Sequence, residues 1–386
     1  MKLLDTGRKA WSKLASRAGR RWVLAASVAT ASIGGVIAVA AVADAGPAKA
    51  LTTRRTLPKP GRFDLQLDVT AFHKGNLHTH SSVSDGDVPP AEVYAWYRDH
   101  GYQFLALTDH NTRVEPKVYA HLERPGFKIL AGEEITMTGA GRQVHVNSLC
   151  SKDKIGGGKF PTQAEALKWA IERVGERNGI ALINHPNFDW SLSEEAIMRG
   201  AARAPLLEIW SGHPYVYSKG IGDRPSHEQL WDRLLDRGGH FSGVAVDDTH
   251  HILDKTSPSK SSRPGRGWVS VFAKRGADVD VGATCAALRD GRFYSSSGAV
   301  ISHVRTALGT LTVWPADPKA TVTFIGHGGV QLASLRSGAD GASYTLRGGE
   351  TWVRVRVDDL QGRQAWTQPF RVADSPPSTG SAVARQ

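Results

Sequence analysis

Short apolar runs alternate with helix-periodic segments over most of the chain, and several of the runs end in residues able to ligate a metal. The run Phe104 to Leu107 leads into Asp109 and His110, and Ile129 to Gly132 into Glu133 and Glu134. Ile180 to Asn184 leads into His185, and Val244 to Asp247 into Asp248 and His250. Most are followed by Pro, Gly or a polar turn, which reads as a set of strands. Between them, 162–178 places Leu167, Ala170, Ile171 and Val174 at helical spacing. Thr162 and Glu165 form a capping-box pattern there, and Gly179 supplies a stop. The segments 90–100 (Val93, Trp96, Tyr97) and 226–237 (Leu230, Leu234, Leu235) have the same periodicity. The alternation predicts an α/β domain with a largely parallel sheet. Ligand candidates at the same end of successive strands face one rim, which in barrel versions of this architecture is where chemistry gathers.

After Gly298 the pattern changes to alternating segments divided by Gly, Pro and Asp: 310–313, 321–325, 330–335, 343–346, 351–357 and 364–372. In 352–357 the valines fall on one face and the arginines on the other, as a half-buried antiparallel strand requires. The region 300–373 is therefore expected to be a small β-sandwich. Two roles are open to such a module: holding the open edge of the preceding domain, or binding a polymer or cell surface. The Ser-, Pro- and Gly-rich tail 374–386 is expected to be disordered.

The candidate chemistry begins at His78 and His80, since side chains at i and i+2 on a strand share a face and can meet one ion. Asp85 follows after a Ser-rich turn, and His145 lies in the alternating segment 143–149. An isolated HxH pair is more often a satisfied polar pair than a ligand pair. The recurrence of ligand types at successive strand ends is what favours a metal.

The order HxH, SDG, TDH, GEE, HVN, NHP, DxH resembles the polymerase and histidinol phosphatase (PHP) family over roughly residues 70 to 300. The resemblance implies a distorted (β/α)7 TIM-like barrel at 71–299 holding two or three divalent metals. The ligands it implies are His78, His80, Asp85, His110, Glu134, His145, His185, Asp248 and His250. Members of the family often have His where this chain has Asp85. The run 289–294 and the segment 363–367 resemble the stand-alone PHP hydrolases that include the carbaryl-hydrolase-like proteins.

Six imidazoles and three carboxylates are too many for one tetrahedral ion, and a mixed N/O set suits Zn, Mn or Fe in neighbouring positions. Two ions about 3.5 to 4 Å apart would clamp the attacking and leaving oxygens of an ester and bring the pKa of bound water toward ~7. Glu134 is the candidate bridging carboxylate. An imidazole not committed to metal, or Asp109 as a partner orienting His110, is a candidate proton shuttle, and Asp109 is equally a candidate N-cap for the segment after Asn111. No GxxxxGK loop, GxSxG elbow or CxxC pair competes with this chemistry. The expectation is a metal-dependent phosphoesterase acting on a small-molecule phosphate ester. The alternatives are a hydrolase of carbamate or carboxylic esters on the same centre, and a surface-binding protein with a structural metal site. Lys260, Arg263 and Arg266, in the stretch that leaves the rim after His250, could meet an anionic phosphate, or could belong to a solvated loop. Trp190, Trp210 and Tyr215 read as pocket lining or as core.

The formal net charge is +11, but the first 50 residues carry eight Lys or Arg against two Asp, leaving +5 for the rest. That remainder has no dense basic stripe with interleaved aromatics, which argues against a stable nucleic-acid partner. Within 1–50, Arg20-Arg21 precede an uncharged segment reaching Ala43, with small-residue pairs that offer cleavage sites. The pattern resembles a twin-arginine export signal, a route that would let metals load before export, and it predicts a secreted or extracytoplasmic protein. An uncleaved anchor over 22–43 is the competing reading. Residues 51–70 read as a linker. Cys150 and Cys285 are compatible with one disulfide or with two buried thiols.

Overall fold

The computed structural model describes residues 61–201, 204–253 and 260–373. The expected signal or anchor at 1–50, the start of the expected linker and the expected tail at 374–386 lie outside the described residues, as does 254–259 within the basic stretch. No helix among the described residues is long and apolar enough to cross a membrane.

In chain order the elements are β1 (Arg62–Phe63), β2 (Leu67–Val69), β3 (Phe72–Asn76), α1 (Pro90–Asp99), β4 (Phe104–Ala106), β5 (Lys128–Leu130), β6 (Gly132–Gly139) and β7 (Arg142–Leu149). They continue with β8 (Lys159–Phe160), α2 (Gln163–Glu176), β9 (Ile180–Ile183), α3 (Glu194–Ala201), β10 (Leu206–Ser211), α4 (His227–Asp236), β11 (Ser242–Val246), β12 (Trp268–Phe272), α5 (Val281–Arg289) and β13 (Phe293–Ser296). The remainder is β14 (Ile301–Ala307), β15 (Thr310–Pro315), β16 (Thr321–Gly326), β17 (Val330–Arg336), β18 (Ala342–Thr345), β19 (Trp352–Asp358), β20 (Gln364–Thr367) and β21 (Phe370–Ala373).

The three helices expected from periodicity form. Thr162 caps α2 by accepting from the Glu165 N–H, and Ser226 and Gln229 close a full capping box on α4. Asn178, at φ 55°, takes the left-handed position after α2, a role the sequence pointed toward Gly179.

The α/β half is mixed rather than largely parallel. Strands β3, β4 and β5 run parallel, as do β9, β10 and β11, but β6–β7, β7–β9 and β12–β3 pair antiparallel. The reason is the tight turn at Ala140 and Gly141, both at positive φ, which joins β6 directly to β7. A parallel pair would need a crossover of a dozen or more residues. The ladders do not close into the expected distorted (β/α)7 barrel: the six-stranded sheet β11-β10-β9-β7-β6-β8 and the sheet containing β12, β3, β4 and β5 remain separate. Five α-helices accompany them among the described residues. Isolated parallel bridges join the two sheets, from Thr79 past the end of β3 to Thr249 past the end of β11, and from His110 past β4 to Glu134 near the start of β6.

Alternate residues of the central strands go to two cores. Leu182, Leu206 and Val244 pack inward with Leu77, Phe104 and Val269, while Ile183, Leu207 and Ala245 pack outward beneath Leu167, Ala170, Leu230 and Trp231 of the helices. A strand buried on both faces reads as a continuous apolar run, as these do.

In the C-terminal region, Ile301, Val304, Leu311 and Val313 of one sheet share a core with Val322, Phe324, Val353 and Val355 of another. The boundary expected at residue 300 does not interrupt the sheet, for β13 pairs with β20. Nor is 61–70 a free linker: β1 pairs with β21 and β2 with β14. The arginine face of β19 is covered rather than solvated. Arg354, 1% exposed, donates from Nε and Nη2 to the Asp232 carboxylate at 2.7 and 2.8 Å. Its Nη1 lies 2.8 Å from Glu228 Oε1, so helix α4 sits on that face.

Candidate metal centre

All nine expected ligands come together. They fall into four overlapping groups: His78, His80 and Asp248; His78, Glu134 and His185; His110, Glu134 and His145; and His80, Asp85, His110 and His250. Strand ends supply most of them, and the left-handed backbone of Asp248, at φ 51°, turns the chain as it leaves β11. Such a conformation is disfavoured for a non-glycine residue and is found most often where a site demands it.

Glu134 is the hub. Its Oε2 lies 3.1 Å from His78 Nε2, and 3.2 Å from both His80 Nε2 and His110 Nδ1. Its Oε1 lies 2.8 Å from His145 Nδ1 and 3.4 Å from His185 Nε2, and accepts from Asn184 Nδ2 at 2.9 Å. Burial alone would raise the Glu134 carboxyl, yet His78 and His145 hold it well below the usual range. Asp248 behaves likewise: burial opposes its charge and His78 with His80 restores it. Asp85, half-exposed, is also held low despite partial burial, by His110 and His250.

The residues fit a cationic group. His80 Nε2 and both ring nitrogens of His145 are buried without a hydrogen-bond partner, although His145 Nδ1 lies within ion-pair distance of Glu134. Orphaned imidazole nitrogens around an ionised carboxylate are what a ligand set leaves when its cation is subtracted.

Several residues that orient the ligands were not anticipated. Glu208, fully buried, accepts from His78 Nδ1 at 2.6 Å through Oε1 and from the His185 backbone N–H at 2.8 Å through Oε2. With Nδ1 engaged there, Nε2 is the His78 nitrogen that faces Glu134 and Asp248 and would meet a bound ion. Thr136 Oγ1 lies 2.7 Å from His110 Nδ1. The only sequence signal for Glu208 is a charge inside the apolar run Leu206 to Trp210.

Asp109 takes neither of its expected roles. Its carboxylate accepts from the Ser81 N–H and hydroxyl and from the Ser84 N–H and hydroxyl, at 2.7 to 3.1 Å. It therefore fixes the turn that presents Asp85. Gly86 in that turn packs so tightly that a Cβ would lie 2.8 Å from the His80 backbone.

All the ligands but His78 line a cavity of about 450 Å3, together with Thr136, Gln143, Phe188, His213 and His251. Burial lowers the His213 imidazole to about 4, so it stands neutral among the ligands. The described lining includes no lysine or arginine. Lys260 and Arg263 do not line this cavity, and Arg266 lines a neighbouring one together with Trp210. Arg266 lies there because its backbone N–H is tied to Asp247 Oδ1 and its Nη1 to the Gly212 carbonyl. Trp190 stacks on Tyr217, and Tyr215 is exposed.

These features define an α/β protein with a His- and carboxylate-lined rim. Residues 76–205 match the PHP domain family, and the chain carries a PHP domain there. Asp248 and His250 lie beyond the matched residues and reach the same rim from the end of β11. Among curated proteins none matches the chain. Sixteen chains of solved structures are similar to it, three of which follow. One is a two-domain protein from Bacteroides vulgatus ATCC 8482 containing a predicted PHP-like metal-dependent phosphoesterase: 18% identity, 79% of this chain and 94% of that chain, TM-score 0.41. Another is an amidohydrolase from Chromobacterium violaceum with bound sulfate and no metal: 17% identity, 48% and 93%, TM-score 0.34. The third is assigned as a metal-dependent phosphoesterase from Bifidobacterium adolescentis ATCC 15703: 14% identity, 55% and 95%, TM-score 0.36.

Proposed function

We propose that the protein is a metal-dependent hydrolase that cleaves phosphate esters at a di- or trinuclear centre of Zn, Mn or Fe. The observation that carries this reading is the convergence of five imidazoles on the two oxygens of Glu134. His78, with His80 and Asp248 on one side and Glu134 and His185 on the other, would hold one ion, Glu134 with His110 and His145 a second, and Asp85 with His80, His110 and His250 a third. When bound, such ions supply Lewis acidity toward the ester oxygens and acidify water. The chain's own part is positional. Glu208 and Thr136 set the His78 and His110 rings, Asn184 orients Glu134, and Asp109 fixes the Asp85 turn. Burial keeps His213 neutral beside them, able to exchange a proton with a substrate oxygen.

We read the α/β half as an open variant of the PHP barrel and the C-terminal sheets as a β-sandwich packed on its helices. The Cys150–Cys285 disulfide supports an extracytoplasmic location, since such bridges are rare in reducing compartments. On this reading the partners are a small-molecule phosphate ester and the export machinery, with no stable nucleic-acid partner.

The test is metal content by mass spectrometry on the purified chain, with turnover of a phosphate monoester, a phosphodiester and a carboxylic ester. Two or three ions with phosphate-ester turnover are expected. Glu134→Gln should lose at least one ion and more than roughly 100-fold of turnover, beyond the 10- to 100-fold typical of disturbing a residue behind the ligands. Turnover of the carboxylic ester alone would sink the phosphoesterase reading, and a metal-free, inert protein would sink the hydrolase reading altogether.

A further inference from the structure

Three buried carboxylates each stand one residue ahead of a ligand: Asp109 before His110, Glu133 before Glu134 and Asp247 before Asp248, each at most 1% exposed. None of the three belongs to the ligand groups or lines their cavity. Neighbours on a strand point to opposite faces, so on β6 Glu133 turns away from Glu134. A buried carboxylate is costly unless its oxygens are engaged, and each of these accepts backbone N–H groups from a separate segment. Asp109 holds the turn at Ser81 and Ser84 in this way.

Glu133 does the same for a segment that follows β7. Its Oε2 accepts from the Ile155 N–H and its Oε1 from the Gly156 N–H, both at 2.7 Å. Gly157 is thereby pressed so close behind the rim that a Cβ there would lie 1.9 Å from the Thr136 carbonyl oxygen and 2.8 Å from Asn111 Oδ1. Asn111 Oδ1 accepts from the Thr136 N–H, and Thr136 Oγ1 meets His110 Nδ1, so this contact ends on a ligand. Asp247 draws residues 266 and 267 back against the end of β11. Its Oδ1 accepts from the Arg266 and Gly267 N–H groups at 2.6 and 2.8 Å, its Oδ2 accepts from the Tyr97 hydroxyl at 2.8 Å, and the Gly265 N–H also faces this carboxylate. A Cβ on Gly267 would lie 2.2 Å from the Val246 carbonyl oxygen, which shows how closely the two backbones approach. The Gly267 carbonyl accepts from Asn76 Nδ2, and Asn76 Oδ1 accepts from the His78 N–H. Four residues before Arg266, the Ser262 carbonyl accepts from the His250 and His251 N–H groups.

We propose that Glu133 and Asp247 are positioning residues of the metal centre, which act with Asp109 by clamping the backbone behind the rim rather than by lending charge to the ions. The proposal rests on the metal-centre reading and adds to it the residues that hold its ligands in register. The partners of the two carboxylates separate a clamp from a charge. Glu133 faces two backbone N–H groups, which only donate, so the amide of a glutamine would meet one of them donor to donor. Asp247 faces backbone N–H groups through Oδ1 but a hydroxyl through Oδ2, and a hydroxyl accepts as well as donates. An asparagine there keeps its oxygen on Arg266 and Gly267 and gives its amide to Tyr97, whose own proton turns to Thr249 Oγ1, 3.0 Å away.

The experiment titrates cobalt(II) into the full chain, stripped of metal beforehand, in competition with a chelator. Visible absorption of the bound cobalt reports ligand geometry, and circular dichroism reports the fold of each variant. Glu133→Gln is expected to weaken affinity roughly 10- to 100-fold and to alter the cobalt spectrum, with the fold retained. Asp247→Asn should keep the wild-type spectrum and an affinity close to wild type, although it removes the same charge. Glu133→Asp, which keeps the charge but shortens its reach, should lose as much affinity as Glu133→Gln, and it decides the matter should the glutamine variant not fold. Equal losses in Glu133→Gln and Asp247→Asn, with Glu133→Asp unaffected, would show that the ions feel charge and would overturn the clamp. Wild-type affinity and spectrum in both Glu133 variants would overturn it too, while leaving the metal centre standing. A wild-type chain that binds no cobalt would overturn the metal centre and this proposal together.

Discussion

Glu208 occupies the middle of β10 with no solvent exposure, where an ionised carboxylate is costly unless every oxygen is engaged. Both are: one faces His78 Nδ1 and the other the His185 N–H. A Gln in its place keeps the volume but offers one carbonyl oxygen for two donors, so its amide nitrogen would confront the other. Glu208→Gln is therefore expected to weaken metal affinity roughly 10- to 100-fold with the fold retained. Chelator competition against circular dichroism checks this, and unchanged affinity would mean that His78 is oriented by other contacts. The contrast with the ligands explains what was legible in the sequence. His110, Glu134, His185 and Asp248 stand where apolar runs stop, so their chemistry is visible against the punctuation. Glu208 and Thr136 act from within strands, and Asp109 acts on a turn 25 to 28 residues away, so their roles depend on pairings that periodicity does not encode.

Among the elements, β19 and α4 illustrate the same boundary. The alternation of valine and arginine in 352–357 correctly places Val353, Val355 and Val357 in the core. What it does not show is that the arginine side is also covered, because the covering helix lies more than a hundred residues earlier. Arg354 there serves two carboxylates, Asp232 through two parallel N–H···O bonds and Glu228 through Nη1. Removing the guanidinium leaves two buried anions facing each other, a change that costs about 3–5 kcal/mol. Arg354→Met should lower the stability by that amount in denaturant titrations, and adding Asp232→Asn and Glu228→Gln should recover most of it. Metal content should not change in either variant, since the network is not part of the ligand groups. If Arg354→Met shifts the midpoint by less than the equivalent of about 1 kcal/mol, the contact of α4 with β19 is held by Trp231, Trp352 and Trp366 rather than by charge.

At the scale of the whole molecule, the decisive covalent feature is the bond between Cys150, just past β7, and Cys285 in α5, 135 residues apart in the chain. Composition left bridge and thiols equally open, because no local spacing links two cysteines that only the packing of α5 brings together. Closing so long a loop in the unfolded chain is worth roughly 4–5 kcal/mol by chain entropy. That figure bears on the proposed export route. A twin-arginine route would carry a folded, metal-loaded protein out of a reducing compartment, so the chain must fold and load before the bridge can close. Cys150→Ser with Cys285→Ser is accordingly expected to remain folded and to bind metal at the same stoichiometry, while losing roughly 4–5 kcal/mol of stability in denaturant titrations. Unfolding of the double variant without denaturant would show that the bridge must precede the metal centre, and loading before export would then be ruled out.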